Sequence, residues 1–114
     1  MESSDMANGD LVFYVQCHVK PECIQEWKHA VNEVIECLSR KDAFVSYYLH
    51  QDTQDKNLFT FYERWSKPTV DAFVKNQMKS YRKAYDARLP TLLQRSREAS
   101  LLKPLGEWHK KVEK

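Results

Sequence analysis

The chain has 114 residues, 42% of them apolar and 30% charged, which is ordinary for one soluble globular domain. Its 18 basic and 16 acidic residues leave a formal charge of +2 and are dispersed apart from Lys110-Lys111, so there is no electrostatic footprint for nucleic acid. Two glycines are too few for a phosphate-cradling loop of the dinucleotide or P-loop type, and no apolar run is long enough to span a membrane.

Residues 1–10 are polar and lack the apolar core of a signal peptide, so they read as a disordered leader. Leu11 to Val19 alternates as a strand: Leu11, Phe13, Val15, Cys17 and Val19 on a plain core face, Val12, Tyr14, Gln16 and His18 on a face with polar tips. Pro21 then opens a helix, where its missing N–H costs nothing. Ile24, Trp27, Val31, Val34, Ile35 and Leu38 recur at spacings of three and four as its apolar stripe. Ala43 to His50 is a second strand and Asn57 to Trp65 a third, joined by a polar connector as an antiparallel hairpin. Ser66 is placed to cap a further helix with Val70, Phe73 and Val74 on its apolar side. From Lys79 the spacing of Tyr81, Ala84, Tyr85, Arg88, Leu89, Leu92 and Leu93 marks another helix or a continuation, with a kink or break expected at Pro90. Ala99 to Leu105 is a last strand, at an edge because of Pro104. Residues 106–114 form a polar tail relieved only by Trp108 and Val112.

The order β-α-β-β-α-β predicts an α+β fold over residues 11–105: a ferredoxin-like, four-stranded antiparallel sheet with helices on one face. The uncovered face is expected to carry Val12, Tyr14, Phe44, Tyr48, Phe59, Phe61 and Trp65. So large an apolar patch implies an interface, which two sheets packed face to face in a homodimer would bury. Cys17, Cys23 and Cys37 are odd in number and lack C-x-x-C spacing, as in reduced thiols of a cytoplasmic protein. No His, Cys or Asp spacing suits a metal.

The third strand, Asn57-Leu58-Phe59-Thr60-Phe61-Tyr62-Glu63-Arg64-Trp65, is the most informative segment. Period-2 alternation puts Phe59, Phe61, Glu63 and Trp65 on one face. A carboxylate on an aromatic face needs a partner, because burying it alone is costly. Either Glu63 is paired structurally, or it lines a polar-tipped cavity.

The run Phe61-Tyr62-Glu63-Arg64-Trp65-Ser66, followed by a helix and Leu89-Pro90-Thr91-Leu92-Leu93, resembles the antibiotic biosynthesis monooxygenase family of dimeric α+β barrels. The resemblance covers Leu11 to Leu105. It implies a dimeric barrel, and places Glu63 and Trp65 at the acidic and aromatic positions of the third strand, facing into the barrel. Histidines often found in the next helix are replaced here by Asn76 and Tyr81, and the asparagine of the first strand is missing. Members include cofactor-independent monooxygenases of quinols or polyphenols, haem-degrading enzymes, isomerases of small signal molecules and proteins with no assigned reaction.

Candidate catalytic residues are Glu63, Trp65 and His18. Glu63 could accept a substrate proton if burial raises its pKa, or make a structural bond near the dimer seam. Trp65 could orient a substrate oxygen with its N–H, or simply fill the core. His18 shares the face of Tyr14 and Gln16 and is the best histidine base, with a solvated role as the alternative. Tyr14, Gln16, His50, Phe61, Asn76 and Tyr81 are candidate substrate-binding residues. Arg82 and Arg88 either pair an anionic substrate or face water.

These readings favour a cofactor-independent monooxygenase of a small quinol or polyphenol, because a deprotonated dihydroxy-aromatic can pass an electron to O₂ unaided. A non-catalytic homodimeric binder of a small aromatic or isoprenoid ligand is the alternative, and haem binding or degradation a third.

Overall fold

The computed structural model describes residues 10–66 and 80–111. The alternation of the first strand is realised as β1, Asp10–His18, which starts one residue before the expected boundary. Asp10 is held there because Arg64 Nε donates to its carboxylate at 2.7 Å. Lys20 is extended, as a residue before proline should be, and Pro21 heads the short 3₁₀ turn Pro21–Cys23. The chain then enters α1, Ile24–Leu38, which buries Trp27, Ala30, Val31, Val34 and Leu38. Next come β2, Phe44–Gln51, and β3, Leu58–Ser66. Between them the Asp52 carboxylate accepts the N–H groups of Gln54 and Asp55, each at 2.9 Å, a turn chemistry that suits Asp. The helix α2, Ser80–Leu92, and the edge strand β4, Glu98–Leu102, complete the described chain. The expected helix after Ser66, with Val70, Phe73 and Val74, lies outside the described residues.

The sheet order is β2-β3-β1-β4, with every pairing antiparallel. β1 and β3 are central and the connections cross over, which is the ferredoxin-like arrangement. Among the described residues no helix is long and apolar enough to cross a membrane.

Register decides which side chains meet the helices. Val15 lies opposite Phe61, Cys17 opposite Phe59, and Leu11 opposite Trp65; residues directly opposite share a face. Val15, Cys17, Phe59, Phe61 and Trp65 join Trp27, Val31, Val34, Leu38, Tyr85, Leu89 and Leu92 in one core. Phe59, Phe61 and Trp65 are therefore under the helices, not on the open face where sequence alternation placed them. Alternation tells which residues share a face, but not which face is covered. Phe44 is corrected for a second reason. A register shift between Phe44 and Ser46 sets Phe44 opposite Trp65 and Ser46 opposite Arg64, so Val45 is an extra residue that flips the phase. Ser46, Tyr48 and His50 then share the open face with Val12, Tyr14, Gln16, His18 and Tyr62. Tyr48 is 61% and Tyr62 42% exposed, so the open face is still aromatic, through a different set of residues.

Two further expectations are revised. Helix α2 runs through Pro90 to Leu92 without breaking. Proline in the last turn removes a single hydrogen bond there, and the ladder resumes as Leu93 N–H donates to the Leu89 carbonyl at 2.9 Å. The buried side of α2 carries Arg82, Tyr85, Leu89 and Leu92, whereas Ala84 is exposed. Arg88 turns outward to donate to Glu26 at 3.2 Å. β4 stops at Leu102, short of the expected Leu105. In the tail, Arg64 donates to Glu107 at 3.1 Å, and His109 pairs with the same carboxylate at 3.0 Å. That histidine, then Arg64, holds Glu107 below the usual carboxylate range.

Candidate functional site

Glu63 is 1% exposed and lines a cavity of about 70 Å³ between sheet and helices. β1 supplies Phe13 and Val15 to its wall, and α1 supplies Val31, Val34 and Ile35. β2 adds Tyr47, β3 adds Phe61 and Glu63, α2 adds Arg82 and Tyr85, the residue just before β4 adds Arg97, and β4 adds Ala99. The walls are thus apolar and aromatic, broken by one carboxyl, two phenols and two guanidinium groups.

Strand geometry explains the central contact. Residues two apart in β3 point the same way, so the Trp65 indole Nε1–H reaches the Glu63 carboxylate and donates to Oε2 at 3.0 Å. Trp65 is itself fixed edge-on against Phe44, with ring centroids 5.6 Å apart. Burial raises the Glu63 pKa; Arg82, the Trp65 N–H and Arg97 oppose it in that order, and burial wins. The carboxyl is therefore a better proton acceptor than an exposed glutamate. Tyr47, stacked on Phe61 at 4.8 Å, and Tyr85 have their pKa values raised above the usual phenol range, chiefly by burial. Both remain hydroxyl donors at neutral pH. The Trp27 indole N–H also acts on Tyr85, lowering its pKa against burial, though among the described residues it has no partner in hydrogen-bonding geometry.

Arg82 is 8% exposed and faces Glu63 and Tyr47 electrostatically. Arg97 donates to Asp86 at 3.0 Å and is about one-third exposed. Cys17, fully buried in the core, has its thiol pushed up to about 11 by burial, which makes it inert at neutral pH. Among the described residues no group of three His, Cys, Asp or Glu is placed to hold a metal ion.

The sequence-predicted site residues are split by the sheet. Phe61 and Glu63 line the cavity, and Trp65 is bonded to Glu63 from the same side. In this geometry the Trp65 N–H is given to Glu63, so Trp65 orients the carboxyl. Tyr14, Gln16, His18 and His50 lie on the opposite, open face. There Gln16 donates to the Tyr14 hydroxyl at 3.4 Å, Tyr14 packs on Tyr62 at 5.1 Å, and His50 stands edge-on to Tyr62. His18 Nε2 is 2.9 Å from Arg95, which lets it accept from the guanidinium as a neutral ring. Asn76 lies outside the described residues, as does the side chain of Tyr81. Tyr47, Tyr85 and Arg97 are cavity residues that sequence reasoning missed. The signal for Tyr85 was available, since Arg82, Tyr85 and Leu89 follow helical spacing. Tyr47 was hidden by the bulge, and Arg97 follows a turn that no periodicity describes.

The model of the antibiotic biosynthesis monooxygenase family matches residues 11–82. No curated protein matches the sequence. Solved structures do match in fold. A conserved protein from Methanosarcina mazei Go1 superposes with a TM-score of 0.77 at 17% identity, covering 86% of this chain and 95% of that one. A point mutant of SnoaB, a cofactor-independent oxygenase from Streptomyces nogalater, gives 0.77 at 16% identity, covering 90% and 99%. A structure described as an antibiotic biosynthesis monooxygenase gives 0.73 at 20% identity, covering 84% and 99%.

Proposed function

Because the chain belongs to the antibiotic biosynthesis monooxygenase family, we propose that it oxygenates a small quinol or polyphenol without a cofactor. The observation that carries this reading is the Glu63–Trp65 pair, a buried, raised-pKa carboxyl held by an indole N–H within apolar walls. Glu63 takes the proton of a ring hydroxyl, and Arg82, Tyr47 and Tyr85 stabilise the resulting anion. The electron-rich anion passes one electron to O₂, and the radical pair recombines into a carbon–oxygen bond. The peroxide anion takes back the proton held by Glu63, and the resulting hydroperoxide loses water with the hydrogen of the same carbon, leaving a carbonyl. Apolar walls suit O₂ and keep water from the radical pair. SnoaB, named a cofactor-independent oxygenase, shares the fold, which supports the same reading.

The open face, with Tyr14, Tyr48 and Tyr62, pairs with a second copy to close a dimeric barrel, since so aromatic a surface is rarely left wet. His18, Gln16 and His50 belong to that seam, and the base is Glu63. Three free thiols fit the cytoplasm.

Oxygen uptake with a panel of quinols on metal-free protein tests the proposal, with Glu63→Gln as the control that should fall by about 10²-fold. Absence of turnover with every quinol would sink it. One observation favours a second reading, a binding protein without turnover: the cavity of about 70 Å³ is half the roughly 150 Å³ that admits benzene. Thermal stabilisation by a ligand that is recovered unchanged would establish that reading instead. Haem has less support, as the cavity wall contains no histidine among the described residues.

A further inference from the structure

Strand order places β4 at one edge of the sheet and β3 two strands away, with β1 between them. Beyond Leu102 the chain nonetheless reaches β3, where Arg64 Nη1 donates to Glu107 Oε1 at 3.1 Å. Arg64 alternates with Glu63 and Trp65 and so stands on the open face with Tyr62. Residues 103–111 therefore pass the end of β1 and frame the open face at its Asp10 end, where Arg64 also holds Asp10 at 2.7 Å. Among the described residues no backbone hydrogen bond ties residues 105–111 to the sheet. The segment is an arm, fastened through the Arg64–Glu107 pair.

The arm exposes what a chain usually buries. Trp108 is 87% and Leu105 86% exposed, whereas tryptophan is highly buried on average. Trp108 is also posed. Its ring lies on Gly106, where an added Cβ would stand 2.5 Å from Cη2 and 2.9 Å from Cζ3, so glycine is what leaves room for it. A ring held flat on its own backbone has less freedom to lose on docking, and Trp is among the residue types most enriched in interface hot spots.

Two observations choose a second copy as the body it meets. The arm borders the field of Tyr14, Tyr48 and Tyr62, so whatever covers that field also meets the arm. A two-fold interface is self-complementary, each copy offering the same projection and the same receiving surface. This face carries both, since Leu105 and Trp108 project while the exposed Tyr48 and Tyr62 form a floor.

We propose that the C-terminal arm clasps the second copy, with Leu105 and Trp108 of each chain packing on the open face of the other. This rests on the open face being the dimer seam and goes beyond it, because sheet-to-sheet packing gives the arm no contact of its own. Arg64 and Glu107 set the position of the arm, and Gly106 sets the pose of the ring.

Fluorescence-detected sedimentation, diluting from micromolar to nanomolar protein, tests the clasp. Trp108→Ala should raise the dimer dissociation constant about 30-fold or more, the size of a hot-spot truncation. Circular dichroism should not change, since the residue is exposed. Gly106→Ala removes no apolar atom, yet should raise the constant about threefold or more by displacing the ring. Replacing Trp108 with benzoylphenylalanine should give, on irradiation, a covalent dimer whose cross-linked peptide contains Tyr48 or Tyr62. A Trp108→Ala dimer as tight as wild type, or cross-links confined to single chains, would overturn the proposal; a monomeric Tyr62→Glu beside either result would keep the seam. A monomeric wild type would remove seam and arm together. Pelleting of the wild type but not of Trp108→Ala on anionic phospholipid vesicles, with dimer affinity unchanged, would assign the arm to a membrane surface instead. Oxygen uptake enters none of these outcomes, so the monooxygenase reading stands or falls separately.

Discussion

Replacing Trp65 with Phe removes the hydrogen-bond donor to Glu63 together with part of a buried ring, and the donor's share can be worked out because the packing loss does not vary with pH. The remaining ring stays roughly in place against Phe44, and the donor lost is the N–H that reaches Glu63 Oε2 at 3.0 Å. A bond to an ionised acceptor contributes about 1.5–3 kcal/mol, and one to a neutral acceptor about 0.5–1.5 kcal/mol. Glu63 is 1% exposed, so water cannot replace the donor. The pH dependence follows from the raised pKa. The folded chain keeps a proton on Glu63 that the unfolded chain has given up, over the window from the ordinary value of 4.5 to the folded one. Stability therefore falls as pH rises through that window. Trp65→Phe leaves the carboxylate without its donor, pushes the folded pKa higher and deepens the fall. The donor's share of the loss should be about 2 kcal/mol at pH ~8, or roughly 8–16 °C in Tm for a domain of this size, and smaller at pH ~4. Thermal and urea melts of both proteins, at both pH values and one protein concentration, measure it. An equal loss at both pH values, or a larger one in acid, would refute the hydrogen bond as the reason for this pair.

Glu63→Gln should flatten the wild-type decline in stability above pH 4.5, because the group that titrates is gone; melts from pH ~4 to ~9 that remain parallel would exclude Glu63 as its source. Tyr62→Glu, on the open face beside Tyr14, should leave circular dichroism unchanged while converting dimer to monomer in sedimentation at micromolar concentration, and a monomeric wild type would defeat the barrel. Cys17 is fully buried with its thiol pushed up to about 11, so a thiol reagent at pH ~8 should label Cys23 and Cys37 natively and reach Cys17 only in denaturant. Peptide mapping that finds Cys17 labelled first would contradict that burial.

The sequence by itself determined the element order, the antiparallel hairpin and the faces that residues share, because these follow from local periodicity and from proline. It also singled out Glu63, since a carboxylate among Phe59, Phe61 and Trp65 is a conflict that some tertiary contact must resolve. Where it went wrong was the face of β3 that the helices cover, because alternation put Phe59, Phe61 and Trp65 together but assigned them to the open side. Cross-strand register settled that, by setting Phe61 opposite Val15 and Phe59 opposite Cys17. One extra residue at Val45 reversed the phase of β2 and brought Tyr47 beside Phe61, a change that strict alternation cannot foresee. The cavity was beyond local reasoning for the same cause. Phe13, Tyr47, Glu63, Arg82 and Arg97 come from five separate segments of the chain, and only the packing of α1 and α2 on one face of the sheet brings them together. Local pattern fixes what each segment can bury; the burial of one face against another decides which polar groups are left to meet inside.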